Sequence, residues 1–429
     1  MLFVAELTKM AEMIGLYAQL AEEYRSGGAS DIKRDVERIL ARTLEALKNA
    51  EPDPELKAKE PDGYAQILRA RPKCEKRIDA SLAKDDLRDK IMAAMLCRFA
   101  GCTLGAIVEN WSVDRMEKWA AQIGDSFPPV GYWSKAWSPE NIRYGASREI
   151  EYTAPGMKSV PVDDDITYTV IGLLIAERFG LNFTTADVAA AWLDWLPVAC
   201  TAEEVALRNL KNGVPAEKAA EIDNPYCQWI GAAIRSDPWA YICAGKPEKA
   251  AKMAYEDAYL THRRNGIYGE MYLAAAQAAA FACDTAEEAL RAGLYEIPEH
   301  CTLAEDIRWA LEEAKHTADW REARRKVDER FRDMHSVHTN NNLCLVVFAL
   351  LLGGNDVTKI LGETVAMGLD NDCTAASAGS VIGAIVGTKN VPSVWTKDFN
   401  DCVDTYLTGH EHFSLSDLAD RFTALAMQA

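Results

Sequence analysis

The chain has 429 residues, and its 47 Lys and Arg oppose 65 Asp and Glu for a formal net charge of −18. With 49% hydrophobic and 26% charged residues, the composition supports a large folded core and excludes an intrinsically disordered chain. So negative a field repels phosphate backbones, and no local basic patch offsets it, so binding to a nucleic-acid backbone is not expected.

The opening MLFVAELTKM carries no basic segment before its apolar residues and holds Glu6 among them, against a secretory signal. Apolar residues at three- and four-residue spacing predict helices over residues 2–24, 32–47, 87–99, 166–179 and 250–259. Alternating strand patterns are scarce. Residues 50–63, AEPDPELKAKEPDG, are charged and broken by proline, so they read as a connection. The boundary is expected near Asp85, with residues 1–84 as an N-terminal helical appendage and 85–429 as the main body. Residues 124–162 form one long irregular stretch in which Pro128, Pro129, Pro139 and Pro155 interleave with Tyr132, Trp133, Trp137 and Tyr144. Loops of that length inside a folded body tend to be functional. The longest apolar run, residues 343–352, ends in Gly353-Gly354 and is too short for a bilayer, so no membrane span is expected. Eleven Cys without a CxxC pair predict neither a disulfide framework nor a zinc ribbon, and a reducing cytoplasm is the simplest setting. The pairs His335/His338 and His410/His412 lack ligand partners at metal spacing and are read as surface or packing residues.

Two acidic clusters stand out, each leading into an apolar helix. The first is Asp163-Asp164-Asp165, followed by ITYTVIGLLIAERFG, which places the carboxylates at a helix N-terminus. Capping and the helix dipole account for one of them at about 0.3–1 kcal/mol. Three adjacent carboxylates repel, since two unit charges roughly 4 Å apart cost about 4 kcal/mol at an effective dielectric near 20. A positive partner is therefore expected. The second cluster, Asp370-Asn371-Asp372-Cys373-Thr374, follows Gly368 and runs into AASAGSVIGAIVG. Two Asp two residues apart can turn both carboxylates toward one point, with Asp372 or Thr374 capping the helix, although such a pattern alone is equally the solvated start of a helix. Together the clusters offer five carboxylates at two helix entrances, a donor set suited to Mg²⁺ or Mn²⁺. Gly379, Gly383 and Gly387 share one helix face and predict close helix packing.

Four blocks in order, AGCTLGAIVE (100–109), VDDDITYT (162–169), THRRNGIYGEMYLAAAQAAAF (261–281) and GLDNDCTAASAGSVIGAIVG (368–387), resemble the ADP-ribosylglycohydrolase family, which includes the dinitrogenase reductase-activating glycohydrolase. The resemblance runs from about Asp85 to the C-terminus. It implies an all-α fold, a compact multi-helix bundle, with two Mg²⁺ or Mn²⁺ ions in a cleft. The family's Thr-Asp-Asp motif falls on Asp163, Asp164 and Asp165, with Asp163 in place of Thr. Its Asp-x-Asp-Thr motif falls on Asp370, Asp372 and Cys373, with Cys373 in place of Thr and Thr374 available as a substitute hydroxyl. The early Gly-Asp-x-x-Gly-x-x-x-Glu element has Cys102 where the family has Asp and keeps Glu109.

What the resemblance implies is hydrolysis of the bond between the anomeric carbon of ADP-ribose and an acceptor, on ADP-ribosylated protein or a small ADP-ribose-containing substrate. The metal ligands carried over are Asp163, Asp164, Asp165, Asp370, Asp372 and Cys373. Glu109, in a loop after the first core helix, is the candidate for positioning or deprotonating water, with Asp164 as the alternative. Asn265, Gly266, Tyr268 and Gly269 offer backbone approach to a pyrophosphate, or a simple turn. Tyr132, Trp133, Trp137 or Tyr144 can stack on adenine or anchor the core. Cys102, Cys373 and the N-terminal appendage keep open hydrolysis of another N- or O-glycoside, and a separate alternative is binding of an ADP-ribose-like ligand without turnover.

Overall fold

The computed structural model describes residues 2–74 and 77–429, with side chains from Leu7 onward. Among the described residues are nineteen α-helices and two antiparallel two-stranded ribbons, the all-α architecture expected. The chain divides into two compact units, one running to Ala58 and taking in Phe331–His335, the other comprising Lys59–Arg330 and Ser336–Ala429. The first holds helices α1 (Leu2–Glu23) and α2 (Ala29–Lys48), the latter preceded by Gly28 at φ 85°. That left-handed value suits glycine.

The division into these units falls inside the charged, proline-broken segment. Residues after Lys59 belong to the larger unit because buried polar contacts hold them there. Glu60 accepts from the Thr302 backbone at 2.9 Å, the Tyr64 N–H donates to the Tyr255 hydroxyl at 3.1 Å, and Arg71 and Arg77 both pair with buried Glu296.

Seven helices of the larger unit position the site: α3 (Lys84–Ala106), α4 (Asp164–Phe179), α5 (Pro247–Ala258), α6 (Asn265–Ala280), α7 (Thr339–Gly353), α8 (Val357–Met367) and α9 (Asn371–Val386). Helix α6 is buried along its whole length. Six of its sixteen residues are Ala and two are Gly, which lets neighbours approach on every side, and its buried Glu270 accepts from Trp239 while its buried Gln277 donates to Asp237. The run at 343–352 forms most of α7, a core helix, and no helix among the described residues is long and apolar enough to cross a membrane.

Helices α3 and α9 pack against one another along most of their length. Glycines make this possible, because a Cβ on Gly105 would lie 2.5 Å from the Asp372 Cα, and Cβ atoms on Gly101, Gly379 and Gly383 would overlap the backbone at Ala375, Cys97 and Ala93. The paired positions run in opposite directions, so the end of α3 meets the start of α9. Gly379 and Gly383 thus pack as their spacing predicted, whereas Gly387 ends α9 at φ 70°. A methyl group at these contacts meets rigid backbone, which cannot move aside as a side-chain tip can. Gly379→Ala and Gly101→Ala are each expected to cost about 1–3 kcal/mol, read as a lower denaturant midpoint of the larger unit. An unchanged midpoint would mean that the helices separate freely at this seam.

Candidate active site

Three backbone segments converge where α3 meets α9. The first is the turn after α3, residues 107–110, which carries Glu109. Its Asn110, at φ 58°, donates its N–H to the Leu369 carbonyl at 3.1 Å. This ties the turn to the second segment, Gly368-Leu369-Asp370, where both Gly368 and Leu369 take positive φ before α9 begins. Asp370 is the N-cap of α9 but its side chain makes no cap bond. Neither does Asp372 or Thr374 cap the helix as expected. The Asp370 N–H instead donates to Asn342 Oδ1 on α7 at 3.1 Å.

The third segment enters α4. Val160 bridges to Val403 of a short ribbon, its N–H donating to the Cys402 carbonyl at 2.8 Å, and the Tyr152 hydroxyl donates to the Val162 carbonyl. These ties deliver Asp163, whose Oδ1 accepts from the Asp165 N–H at 3.2 Å and caps α4. Asp163, Asp165, Asp370 and Asp372 are all buried. The two acidic clusters are therefore one site: Asp165 and Asp370 act on each other electrostatically, as do Asp163 and Asp372, and Cys373 lies beside both Asp165 and Asp370.

Burial in a region of common charge raises the carboxyl pKa values. Asp165 is pushed up to about 8 by burial, against the pull of Arg98. Burial together with the charge of Glu109 moves Asp370 to about 7. Asp164 and Asp372 are also raised, again chiefly by burial.

Two guanidinium groups oppose this charge. Arg98, fully buried on α3, reaches Asp165 Oδ1 at 3.1 Å and Asp237 Oδ2 at 2.6 Å, and donates to the Ile234 carbonyl at 2.6 Å. Arg143 comes from the irregular stretch, where β1 (Ile142–Arg143) pairs with β2 (Ser147–Arg148) around a turn in which Tyr144 and Gly145 take positive φ. Its Nη2 lies 3.1 Å from Glu109 Oε2, 3.1 Å from Asp163 Oδ2 and 3.6 Å from Asp372 Oδ2. The next residue, Tyr144, donates its hydroxyl to Asp164 Oδ1 at 2.8 Å and stacks on Tyr406 with ring centroids 5.3 Å apart. Neither Arg98 nor Arg143 stood out in the sequence. The one available signal for Arg143 was its place in an irregular, aromatic-rich stretch ahead of three consecutive Asp.

Even so, positive charge falls short. Of six carboxylates, those of Glu109, Asp163, Asp164, Asp165, Asp370 and Asp372, four (Glu109, Asp163, Asp165 and Asp372) meet the two guanidinium groups, and Arg98 also serves Asp237. The Asp165 Oδ2, Asp372 Oδ1 and Thr374 Oγ1 atoms are buried without a hydrogen-bond partner. Potential ligand atoms gather in two sets, Cys102 with Asp163 and Asp165, and Asp370 with Asp372 and Cys373, the atoms of each set within 4.8 Å of one another. Orphaned carboxylate oxygens at such distances fit a hard divalent cation.

Other expected site residues have different partners. Asn265 donates to Gln228 Oε1 at 2.9 Å and accepts from the Leu303 N–H at 3.0 Å, and the Tyr268 hydroxyl donates to the Pro61 carbonyl at 2.6 Å. Gly266 abuts Cys227 and Gly269 abuts Thr339, so both glycines serve packing. Asp62 accepts from the Arg264 N–H at the head of α6 at 2.7 Å, placing a carboxylate where a pyrophosphate was expected. Tyr132 and Trp133 are buried anchors bonded to the Trp395 and Leu104 carbonyls, while Trp137 is 55% exposed and edges onto Trp111 and Trp119. The His338 side chain caps α7, and His412 contacts Asp404 at 2.6 Å.

The sequence profile of the ADP-ribosylglycohydrolase family matches residues 83–428. A solved structure described as an ADP-ribosylglycohydrolase-related protein complex superposes with a TM-score of 0.51 at 19% identity, covering 80% of this chain and 97% of that one. At that identity the likeness speaks for the fold. No curated protein sequence matches. With a family profile spanning residues 83–428 and the acidic segments brought to one site, the chain belongs to the ADP-ribosylglycohydrolase family, whose members are glycosyl hydrolases.

Proposed function

We propose that this chain is a divalent-cation-dependent hydrolase of the bond between the anomeric carbon of ADP-ribose and an acceptor, either a protein side chain or a small molecule. The observation that carries this reading is the meeting of both acidic segments, with carboxylate oxygens left unpartnered, at a site on a glycohydrolase fold. Oxygen donors favour Mg²⁺ or Mn²⁺, and Asp163, Asp164, Asp165, Asp370 and Asp372 are the residues that would hold it, with Cys373 beside them. When bound, the cation supplies Lewis acidity toward ribose hydroxyls and water.

The chain's own groups carry the rest. Glu109 is one-third exposed, so it can reach a substrate that the buried Asp cannot. Its Oε1 accepts from Asn110 and its Oε2 from Arg143, both at 3.1 Å. Two donors orient the carboxylate, which takes the proton of the attacking water. Asp164, held by the Tyr144 hydroxyl, is the alternative base. Departure of the acceptor leaves positive charge on the anomeric carbon, which the surrounding carboxylates stabilise as in other glycosidases.

The second reading, hydrolysis of another N- or O-glycoside such as a nucleoside or nucleotide sugar, is favoured by Cys102 and Cys373 within the two ligand sets. Purified protein incubated with ADP-ribosylated arginine, ADP-ribosylated serine or free nucleosides, in Mg²⁺ or in EDTA, separates the readings. Metal-dependent release of ADP-ribose is the expected result. Turnover of nucleosides alone favours the second reading, and tight binding without product makes the protein a scaffold. Glu109→Gln is expected to lower kcat by about 10²–10⁴-fold, and Asp164→Ala and Asp370→Ala to abolish turnover with the helical circular dichroism unchanged. Full activity in either Asp variant would remove it from the ligand set.

The raised carboxyl pKa values also set the pH dependence. Because Asp370 and Asp165 are shifted to about 7 and about 8, the folded state binds more protons than the unfolded state from the ordinary aspartate range up to that pH. Stability in EDTA therefore falls as pH rises through this window. A cation competes with those protons, so the rise in Tm produced by Mn²⁺ is expected to be larger at about pH 8.5 than at about pH 6. An equal rise at both pH values would show that these carboxylates do not hold the ion.

A further inference from the structure

The Arg143 guanidinium gathers the acids of all three segments. A single nitrogen, Nη2, collects carboxylate oxygens from three separate segments: Glu109 after α3, Asp163 before α4 and Asp372 in α9. Nη1 donates to the Ala106 carbonyl at 2.7 Å, the last residue of α3, while Nε has no partner. The side chain is 16% exposed, and its guanidinium lies 5.5 Å from the Tyr144 ring and 5.8 Å from the Tyr152 ring. Held by a hairpin turn and by the α3 terminus, this group is part of the site's construction.

Its effect on the two ligand sets is unequal. In the first set both carboxylates already meet a guanidinium at 3.1 Å, Asp163 through Arg143 and Asp165 Oδ1 through Arg98, which leaves Asp165 Oδ2 and the sulfur of Cys102, a soft donor poorly suited to a hard cation. In the second set Asp372 meets Arg143 only through Oδ2, at 3.6 Å, while its Oδ1 is unpartnered, and neither Asp370 nor Cys373 pairs with a guanidinium. Thr374 Oγ1 is likewise buried without a partner.

We propose that the Arg143 guanidinium replaces one of two cations, so that this chain takes up a single divalent cation, at the Asp370–Asp372–Cys373 side of the site. The inference rests on the metal-dependent reading above and narrows it. It also gives Cys102 a physical role: with a guanidinium already neutralising the first set, an acid at that position would add buried charge with no counter-charge. Arg143 is then a positioning residue, because it holds Glu109 and Asp163 through charge-assisted hydrogen bonds without touching the reacting atoms.

Equilibrium titration of the full-length protein with Mn²⁺ alone, following free Mn²⁺ by electron paramagnetic resonance, tests this independently of turnover. The expected result is a single tightly bound ion per chain in the natural protein and in Arg143→Lys, which keeps the charge, and a second tight ion in Arg143→Gln, which removes it. Circular dichroism checks that both variants fold. Two tight ions in the natural protein, or a second ion in Arg143→Lys, would overturn the proposal while leaving the metal-dependent reading in place. A single ion in all three proteins would overturn it too. No tight ion in any of them would remove both.

Discussion

Six carboxylates drawn from three backbone segments gather in a largely buried region where two guanidinium groups meet four of them. Charges of one sign taken out of water repel strongly and must be neutralised by protons, by cationic side chains or by metal. Arg98 and Arg143 supply part of that neutralisation. The raised pKa values of Asp164, Asp165, Asp370 and Asp372 express the part that they do not. The folded region therefore holds protons more tightly than the unfolded chain does.

The helical scaffold keeps those charges together. Glycine at the α3–α9 contact lets two backbones touch, and because the helices run in opposite directions the Glu109 turn and the start of α9 fall at the same end. A side chain at those positions would push the helices apart by the size of a methyl group or more. Such a shift would loosen the three-way contact of Arg143, whose hydrogen bonds are at 3.1 Å. Close packing and electrostatics are thus coupled: the acids sit near one another because the helices have no side chains between them.

The hairpin carrying Arg143 and Tyr144 lies in a long stretch without α-helix, and it reaches all three acidic segments from outside the helical scaffold. This is the common relation between a rigid frame and the irregular chain that serves its site. The departures at Cys102 and Cys373 fall within the same region.

Much of this was legible in the amino-acid order. Helices over the apolar-periodic segments, the absence of a membrane-length run and the acidic motifs at two helix starts follow from spacing and residue type, because helix periodicity and capping are local properties. The same local reasoning left Asn265–Gly269 open, either as a ligand-approachable helix start or as a simple turn. Packing against Cys227 and Thr339, and the Asp62 carboxylate brought from far along the chain, occupy it instead. The excess of carboxylates announced that positive charge was needed, but not that Arg98 and Arg143 supply some of it. Which distant guanidinium meets which acid, and which oxygens remain unpaired, depends on how helices separated by hundreds of residues pack, and only the tertiary structure decides that.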